Sequence, residues 1–430
     1  MGYTVCMVTT RFAPSPTGFL HIGSIRTALL NYVYAKSRNG KFILRIEDTD
    51  QSRLVTQAIQ NIHNTLDKFG IVPDEIYQQS ERLEIYMDYA NRLLSDGLAY
   101  RKDGAIFLRI ESPDKIVLKD FLKGNIELPG PQDTVIIKSD GYPTYHFANV
   151  IDDYFMDVDT VIRGEEWVTS TNIHLSIYKA LGWVPPSFGH IPLILDVSGK
   201  KLSKRHSDSN LKSYFDDGYL PKAIACYCLM LGDGTKTSNK KLFSMSDAIN
   251  DFDIFRYKSV SPKLDKQKLV NMNFKALQEL SDQEFLQKLE KFYKFPLSDS
   301  DNTFFLKNRS RIKTLRDIIR FVVYSAWFAY YPNMADEDIL RVVFPVYNCT
   351  KDIKFALKVC HRKTHYSLPQ IYKSVRMALS NEENGPDLQD LCDYLSDHLI
   401  ENRLSLFGKI GTNLCIDVEQ YREHGQFLQT

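Results

Sequence analysis

The chain has 430 residues, past the size at which a single hydrophobic core stops growing, so about two to four domains are expected. Hydrophobic residues make up 43%, charged residues 25% and aromatic residues 12%, which excludes a disordered, collagen-like or low-complexity protein. The 54 basic and 53 acidic side chains give a formal net charge of +1, so a polyanionic partner would have to be met by a local concentration of charge.

No run approaches the ~18 apolar residues of a membrane span, and the start MGYTVCMVTTRFA lacks a basic segment followed by an apolar one. Neither membrane insertion nor secretion is expected. The seven cysteines are odd in number and irregularly spaced, the usage of a reducing cytoplasm. Cys226 and Cys228 lie in the apolar run AIACYCLMLG with no second pair or histidine cluster nearby, so they read as core.

Residues 3–13 are rich in β-formers and end at PSPTG, where two prolines and a glycine enforce a loop. From His21 the period changes: Ile25, Ala28, Leu29, Tyr32 and Val33 fall on one helical face. Asn39 and Gly40 stop that helix, and residues 41–46 (KFILRI) form the near-continuous apolar run of a strand buried on both faces. Strand, helix and strand make a βαβ unit of the doubly wound kind.

Helices are predicted over residues 57–69 and 81–97. Near Tyr100 the composition breaks into strand-like alternation lasting to residue 128, which reads as an inserted segment. Strands at 134–138 and 159–163, a helix at 170–181 and an apolar strand at 191–195 resume the sheet. Beyond about Ser213 the pattern is almost entirely helical. There, residues 351–379 carry seven bases against one acid, whereas residues 380–430 carry ten acids and three bases. The run AWFAYY at 326–331 reads as helical core.

Two elements carry chemistry. HIGS at 21–24 places a histidine and a small-residue step at the start of the first helix, where free N–H groups and the helix dipole attract anions. GKKLSKRH at 199–206 packs cations around Ser203 after a predicted strand. Taken alone, the first reads better as a cap or surface residue and the second as a solvated charge cluster. Together, across a nucleotide-type βαβ unit, they are the motif pair of the class I aminoacyl-tRNA synthetases, which this chain resembles. More narrowly, RFAPSPTG (11–18), HIGS (21–24), RIEDTD (45–50), SDGYPTYH (139–146), VIRGEEW (161–167) and KLSKR (201–205) are similar to the motifs of bacterial glutamyl-tRNA synthetases.

The resemblance implies a ligase that joins L-glutamate to ATP as glutamyl-adenylate and passes the glutamyl group to the 3′-terminal adenosine of tRNA. It implies His21, Lys201 and Lys204 as catalytic residues, and His21, Gly23, Ser24, Lys201, Ser203 and Lys204 around ATP. Arg11, Ala13, Ser15, Glu47, Tyr145, Asn149 and Arg163 would line the glutamate pocket. There Glu47 is the natural partner of the α-ammonium, and Arg11 and Arg163 of the two carboxylates, in an order that stays open. ATP and Mg2+ are expected, with no zinc, because no cysteine lies between Cys6 and Cys226. No protein-held metal site is expected.

The partner would be tRNA(Glu). A non-discriminating or tRNA(Gln)-directed enzyme is the alternative, and the resemblance also implies a cytoplasmic monomer. Two departures from the family stand out. The segment after Tyr100 is short, and GKIGTNLC (408–415) matches the family's late stretch only weakly.

The expected fold is α/β: a doubly wound, Rossmann-like catalytic domain over 1–100 and 141–213, interrupted by a shortened acceptor-binding segment at 101–140. A helical stem-contact domain (214–300) and a helical anticodon-binding region (301–430) follow. Three other readings compete: a glutaminyl-tRNA synthetase, which has a different first motif, a short paralogue that glutamylates a modified tRNA base and lacks an anticodon domain, and an inert homologue that only binds tRNA or a partner.

Overall fold

A strand that must bury both faces needs apolar residues along its whole length, and the first two strands meet that demand. β1 (Thr9–Phe12) is buried throughout, and β2 (Lys41–Ile46) is buried at every residue but the first. They run parallel with Thr9 opposite Lys41, joined by α1 (Ile22–Lys36). At the entry to β2 the chain passes so close to β1 that a Cβ on Gly40 would lie 2.0 Å from the Val8 carbonyl oxygen, and only glycine fits. The computed structural model describes residues 7–50, 55, 57–110, 114–202, 210–235, 242–294, 296–318, 336–380, 386–395 and 400.

α1 is buried beyond its predicted face, since Leu30, Asn31 and Ala35 are enclosed as well as Ile25, Ala28, Leu29 and Val33. Its Asn31 amide donates to the Ile162 carbonyl at 2.9 Å, while the Asn31 carbonyl accepts from the Thr10 hydroxyl at 2.9 Å. α2 (Ala58–Lys68) leads to β3 (Glu75–Gln78), which adds parallel to β2, and then to α3 (Leu83–Ser95).

The next stretch is rich in strands. β4 (Ala99–Lys102) and β5 (Ala105–Leu108) are followed by the antiparallel hairpin of β6 (Ile116–Asp120) and β7 (Gly124–Leu128). β8 (Thr134–Ile137) returns to β5, which makes a three-stranded antiparallel sheet in the order β4-β5-β8. That sheet shares a core with α3 and with α4 (Tyr145–Phe155), through Tyr86, Ile106, Ile136, Phe147 and Ile151.

β9 (Thr160–Gly164), α5 (Thr171–Leu181) and β10 (Ser187–Ile191) form a second βαβ unit, with Ser187 opposite Thr160. β6 joins the far edge of β10, Asp120 opposite Phe188, so the strand order is β7-β6-β10-β9. β1 lies beside β9, and the parallel strands thus run β3-β2-β1, then β9-β10. Their order reverses at β1, which makes the crevice at the carboxyl ends of β1 and β9 the expected ligand site of a doubly wound sheet.

The strand predicted at 191–195 is corrected. The ladder occupies Ser187–Ile191 and stops there because Pro192 has no N–H to donate.

After residue 202 the described residues form no further sheet strand. α6 (Leu211–Asp216), α7 (Pro221–Met230), α8 (Met245–Asn250) and α9 (Lys266–Glu279) follow, with Cys226 and Cys228 buried in α7. The chain divides into two compact units, Met1–Asn273 and Phe274–Thr430.

The second unit is helical throughout its described residues. α10 (Asp282–Tyr293) and α11 (Asp299–Asn308) each open on a capping box, Ser281 with Glu284 and Ser298 with Asp301. α12 (Glu337–Thr350), α13 (Ile353–Lys363), α14 (Leu368–Ser380) and α15 (Leu388–Tyr394) complete it, around Leu340, Val343, Leu357, Ile371 and Val375. The sequence features at 326–331 and 408–415 lie outside the described residues. Among the described residues no helix is long and apolar enough to cross a membrane.

Candidate active site

The carboxyl ends of β1, β2 and β9 deliver Arg11, Glu47 and Arg163 to one cavity of about 500 Å3. Ala13, Ser15, Tyr145 and Trp167 line it, as do His21, Gly23 and Ser24 at the start of α1. Nine of the predicted residues therefore meet around one space. Asn149 is not among its lining residues: it is buried behind Glu47, its side-chain oxygen toward Arg45 (2.8 Å) and its NH2 toward Asp153 (3.3 Å), the orientation that satisfies both groups. Lys201 is exposed on a turn where it pairs with Leu195, and it is not among the lining residues. Ser203 and Lys204 lie outside the described residues.

At the helix end of the cavity His21 is the N-cap of α1, its Nδ1 accepting from the Ser24 N–H at 3.1 Å. In the neutral ring the proton is therefore on Nε2. Gly23 makes this cap possible, because a Cβ there would press on the His21 ring at 3.0 Å. The first turn of α1 holds no acidic residue, so its free N–H groups are available to an anion.

At the other end lies a buried ionic network. Arg11 Nε meets Asp153 Oδ1 at 3.2 Å, and Arg45 reaches Asp153 at 2.7 Å and Glu47 at 3.3 Å. Burial alone would raise the Asp153 carboxyl, but Arg11 and Arg45 outweigh it and hold it below the usual range. Glu47 goes the other way: burial lifts it, and the pull of Arg45 and Arg11 does not fully cancel that. A ligand ammonium beside Glu47 would pull it back down. Burial pushes the Tyr145 hydroxyl up to about 12, so at neutral pH it is a hydrogen-bond donor.

Arg163 differs from the other two arginines. Its Nε donates to His190 Nε2 at 3.0 Å, one Nη meets His174 Nδ1 at 3.1 Å, and the other donates to the Thr171 hydroxyl at 2.8 Å. All three partners are neutral, and among the described residues no carboxylate lies within ion-pair distance of it. Burial lowers its affinity for the proton. The neutral Tyr145 hydroxyl is a fourth hydrogen-bond partner, and what remains of the five N–H groups of Arg163 is left for an anion in the cavity.

Three comparisons place this geometry among known proteins. Residues 7–105 and 101–271 match the family model of the class I tRNA synthetases (E and Q), catalytic domain. The chain belongs to this family. Among its class I relatives, the glutamate–tRNA ligase of Methylacidiphilum infernorum is 34% identical over 430 aligned residues, covering 92% of this chain and 96% of that one. The mitochondrial glutamate–tRNA ligase of Schizosaccharomyces pombe is 31% identical, covering 93% and 91%. The fold matches the crystal structure of a glutamate tRNA ligase from Elizabethkingia meningosepticum in complex with its amino acid, with a TM-score of 0.71 and 28% identity over 93% of this chain and 99% of that one.

Sequence reasoning missed the residues that hold the pocket from behind: Arg45, Asp152, Asp153, Thr171, His174 and His190. A signal for them did exist. Asp152 and Asp153 are adjacent carboxylates in the otherwise apolar helix segment FANVIDDYF, and His190 interrupts an apolar strand, both unusual unless each group is paired. Among the described residues no group of three or more His, Cys, Asp or Glu side chains is arranged to hold a metal ion.

Proposed function

We propose that the chain attaches L-glutamate to the 3′ end of tRNA(Glu) at the expense of ATP. The observation that carries this reading is Arg163, a buried cation held only by neutral groups and facing the same cavity as the N-terminus of α1. A pocket with this cation and Arg11 at one side and Glu47 close by complements an amino acid bearing two carboxylates and one ammonium. The N–H groups of α1 stand where a nucleotide's phosphates would lie.

In the first step the glutamate α-carboxylate attacks the α-phosphorus of ATP, and the bond to the β-phosphate oxygen breaks to release pyrophosphate. In the second a hydroxyl of the tRNA's terminal adenosine attacks the activated carbonyl and AMP leaves. Neither step calls for a covalent enzyme nucleophile: holding the reactants in line and stabilising the phosphate charge is sufficient. His21, Gly23 and Ser24 serve the phosphates in this scheme, and Lys201, Ser203 and Lys204 join them there on pyrophosphate departure. Arg11, Ala13, Ser15, Glu47, Tyr145 and Arg163 hold glutamate, with Asn149 acting from behind through Arg45. Magnesium ion would come with the triphosphate and neutralise part of its charge.

Residues 101–140 meet the acceptor end, 214–300 the stem and 301–430 the anticodon. Lys354, Lys358 and Arg362 are exposed on α13 and form part of the RNA surface. The enzyme acts as a cytoplasmic monomer on tRNA(Glu), and charging of tRNA(Gln) is the outcome that would widen its role. Replacing Arg163 by alanine tests the scheme: the KM for glutamate should rise at least a hundredfold while that for ATP stays put, and an unchanged glutamate KM would overturn the pocket.

A further inference from the structure

An arginine held only by neutral acceptors poses a problem of orientation, since each acceptor must present a lone pair, and a histidine presents one only in the right tautomer. The structure supplies what fixes the tautomer on one side. Asp120, at the end of β6, is a buried carboxylate that accepts four hydrogen bonds. Its Oδ1 takes the backbone N–H groups of Leu122 (2.9 Å) and Lys123 (2.8 Å), and its Oδ2 takes the His190 backbone N–H (3.0 Å) and ring Nδ1 (2.6 Å). An ionised carboxylate can only accept, so the His190 proton is on Nδ1 and the Nε2 lone pair faces the Arg163 Nε–H. The other arm follows the same logic: Arg163 donates to His174 Nδ1, so the His174 proton is on Nε2 and points at His146 Nδ1, 3.0 Å away. Asp120, His190 and His174 are all buried.

We propose that Asp120 is a positioning residue for Arg163, acting through His190, and thereby sets the affinity of the glutamate pocket from the segment inserted between the two halves of the sheet. This rests on the reading that Arg163 binds a carboxylate of glutamate. The chain of donors runs in one direction, from Arg163 to His190 to Asp120, and a single amide in place of the carboxylate reverses it. In Asp120→Asn the NH2 group would face the His190 ring, take the Nδ1 lone pair and force the proton to Nε2, against the Arg163 Nε–H. Two donors would then meet, and the guanidinium would have to turn away.

The test is steady-state aminoacylation of tRNA(Glu) by the full chain, with the glutamate and ATP constants measured separately. Asp120→Asn should raise the KM for glutamate at least tenfold and leave that for ATP within about twofold. His190→Phe, which keeps the ring and removes both nitrogens, should do the same, and the double variant should be no worse than either. A role confined to holding the β6–β7 hairpin would instead move both constants together with the melting temperature. Should Asp120→Asn fail to fold, His190→Phe carries the test. A folded variant with an unchanged glutamate KM overturns the relay alone, while a wild-type chain that charges no glutamate overturns the functional reading with it.

Discussion

Among the described residues Arg163 has no carboxylate at ion-pair distance, and its partners His190, His174, Thr171 and Tyr145 are all neutral. If a ligand carboxylate completes it, Arg163→Ala removes about 3 kcal/mol of charge-assisted bonding, the hundredfold rise proposed above. Arg163→Lys should not restore binding, because an ammonium cannot serve His190, His174, Thr171 and a ligand in one plane; the glutamate KM of the lysine variant checks this. At the opposite end, Gly23→Ala puts a methyl group 3.0 Å from the His21 ring. The ring must give by a few tenths of an ångström, which weakens its bond to the Ser24 N–H. Glutamyl-adenylate formation, followed by pyrophosphate release, should slow by about tenfold with the glutamate KM unaffected.

His146, His174 and His190 add a pH dependence with a definite sign. Burial lowers the proton affinity of all three, His174 well below the usual 6.5. As pH falls below about 6.5 the unfolded chain takes up protons that the folded chain refuses, so stability is lost on acidification through that window. Glu47, lifted by burial, works in the opposite direction above its ordinary 4.5, but it is one group against three. The melting temperature of the first unit should therefore drop between pH 7 and pH 5, and a flat profile would contradict the neutral cage around Arg163.

Among the elements, α4 ties the layers of the first unit together. Its Asp152 accepts from Gln79, Arg82 and Tyr86, each at 2.8 Å, while Asp153 on the same helix holds Arg11 and Arg45. Asp152→Ala takes the shared acceptor from Gln79, Tyr86 and the Arg82 guanidinium, at a cost of about 3 to 5 kcal/mol; the urea midpoint of the first unit reads this. β1, β2 and β9 were legible in the sequence because apolar runs bounded by Pro and Gly admit few other readings, and 41–46 falls on β2 residue for residue, whereas β3 (EIYQ) is too short and polar to stand out. The last strand was misplaced because its apolar character continues past Pro192, where the ladder stops for want of one N–H. The donors that reached the cavity were legible through motifs at loop and strand ends. The supporting shell was not: Asp120, Asp152 and His190 are far apart in sequence, and only tertiary packing shows whether a buried polar group is paired.

For the whole molecule, the proposal that the second unit meets RNA can be tested apart from the cavity of the first. Lys354 and Lys358 are exposed on α13 and belong to the RNA surface proposed above. Replacing both with glutamate should raise the KM for tRNA about tenfold and flatten its salt dependence, with the glutamate and ATP constants unchanged. Equal tRNA constants across a salt series would remove α13 from the RNA surface. The most direct measurement of the central claim is charging of a tRNA(Glu) transcript with labelled glutamate by the full chain, with and without ATP. The account predicts ATP-dependent label on the tRNA, weakened in Arg163→Ala only through the glutamate KM. A folded chain that places no label on this transcript, at any glutamate concentration, would contradict it.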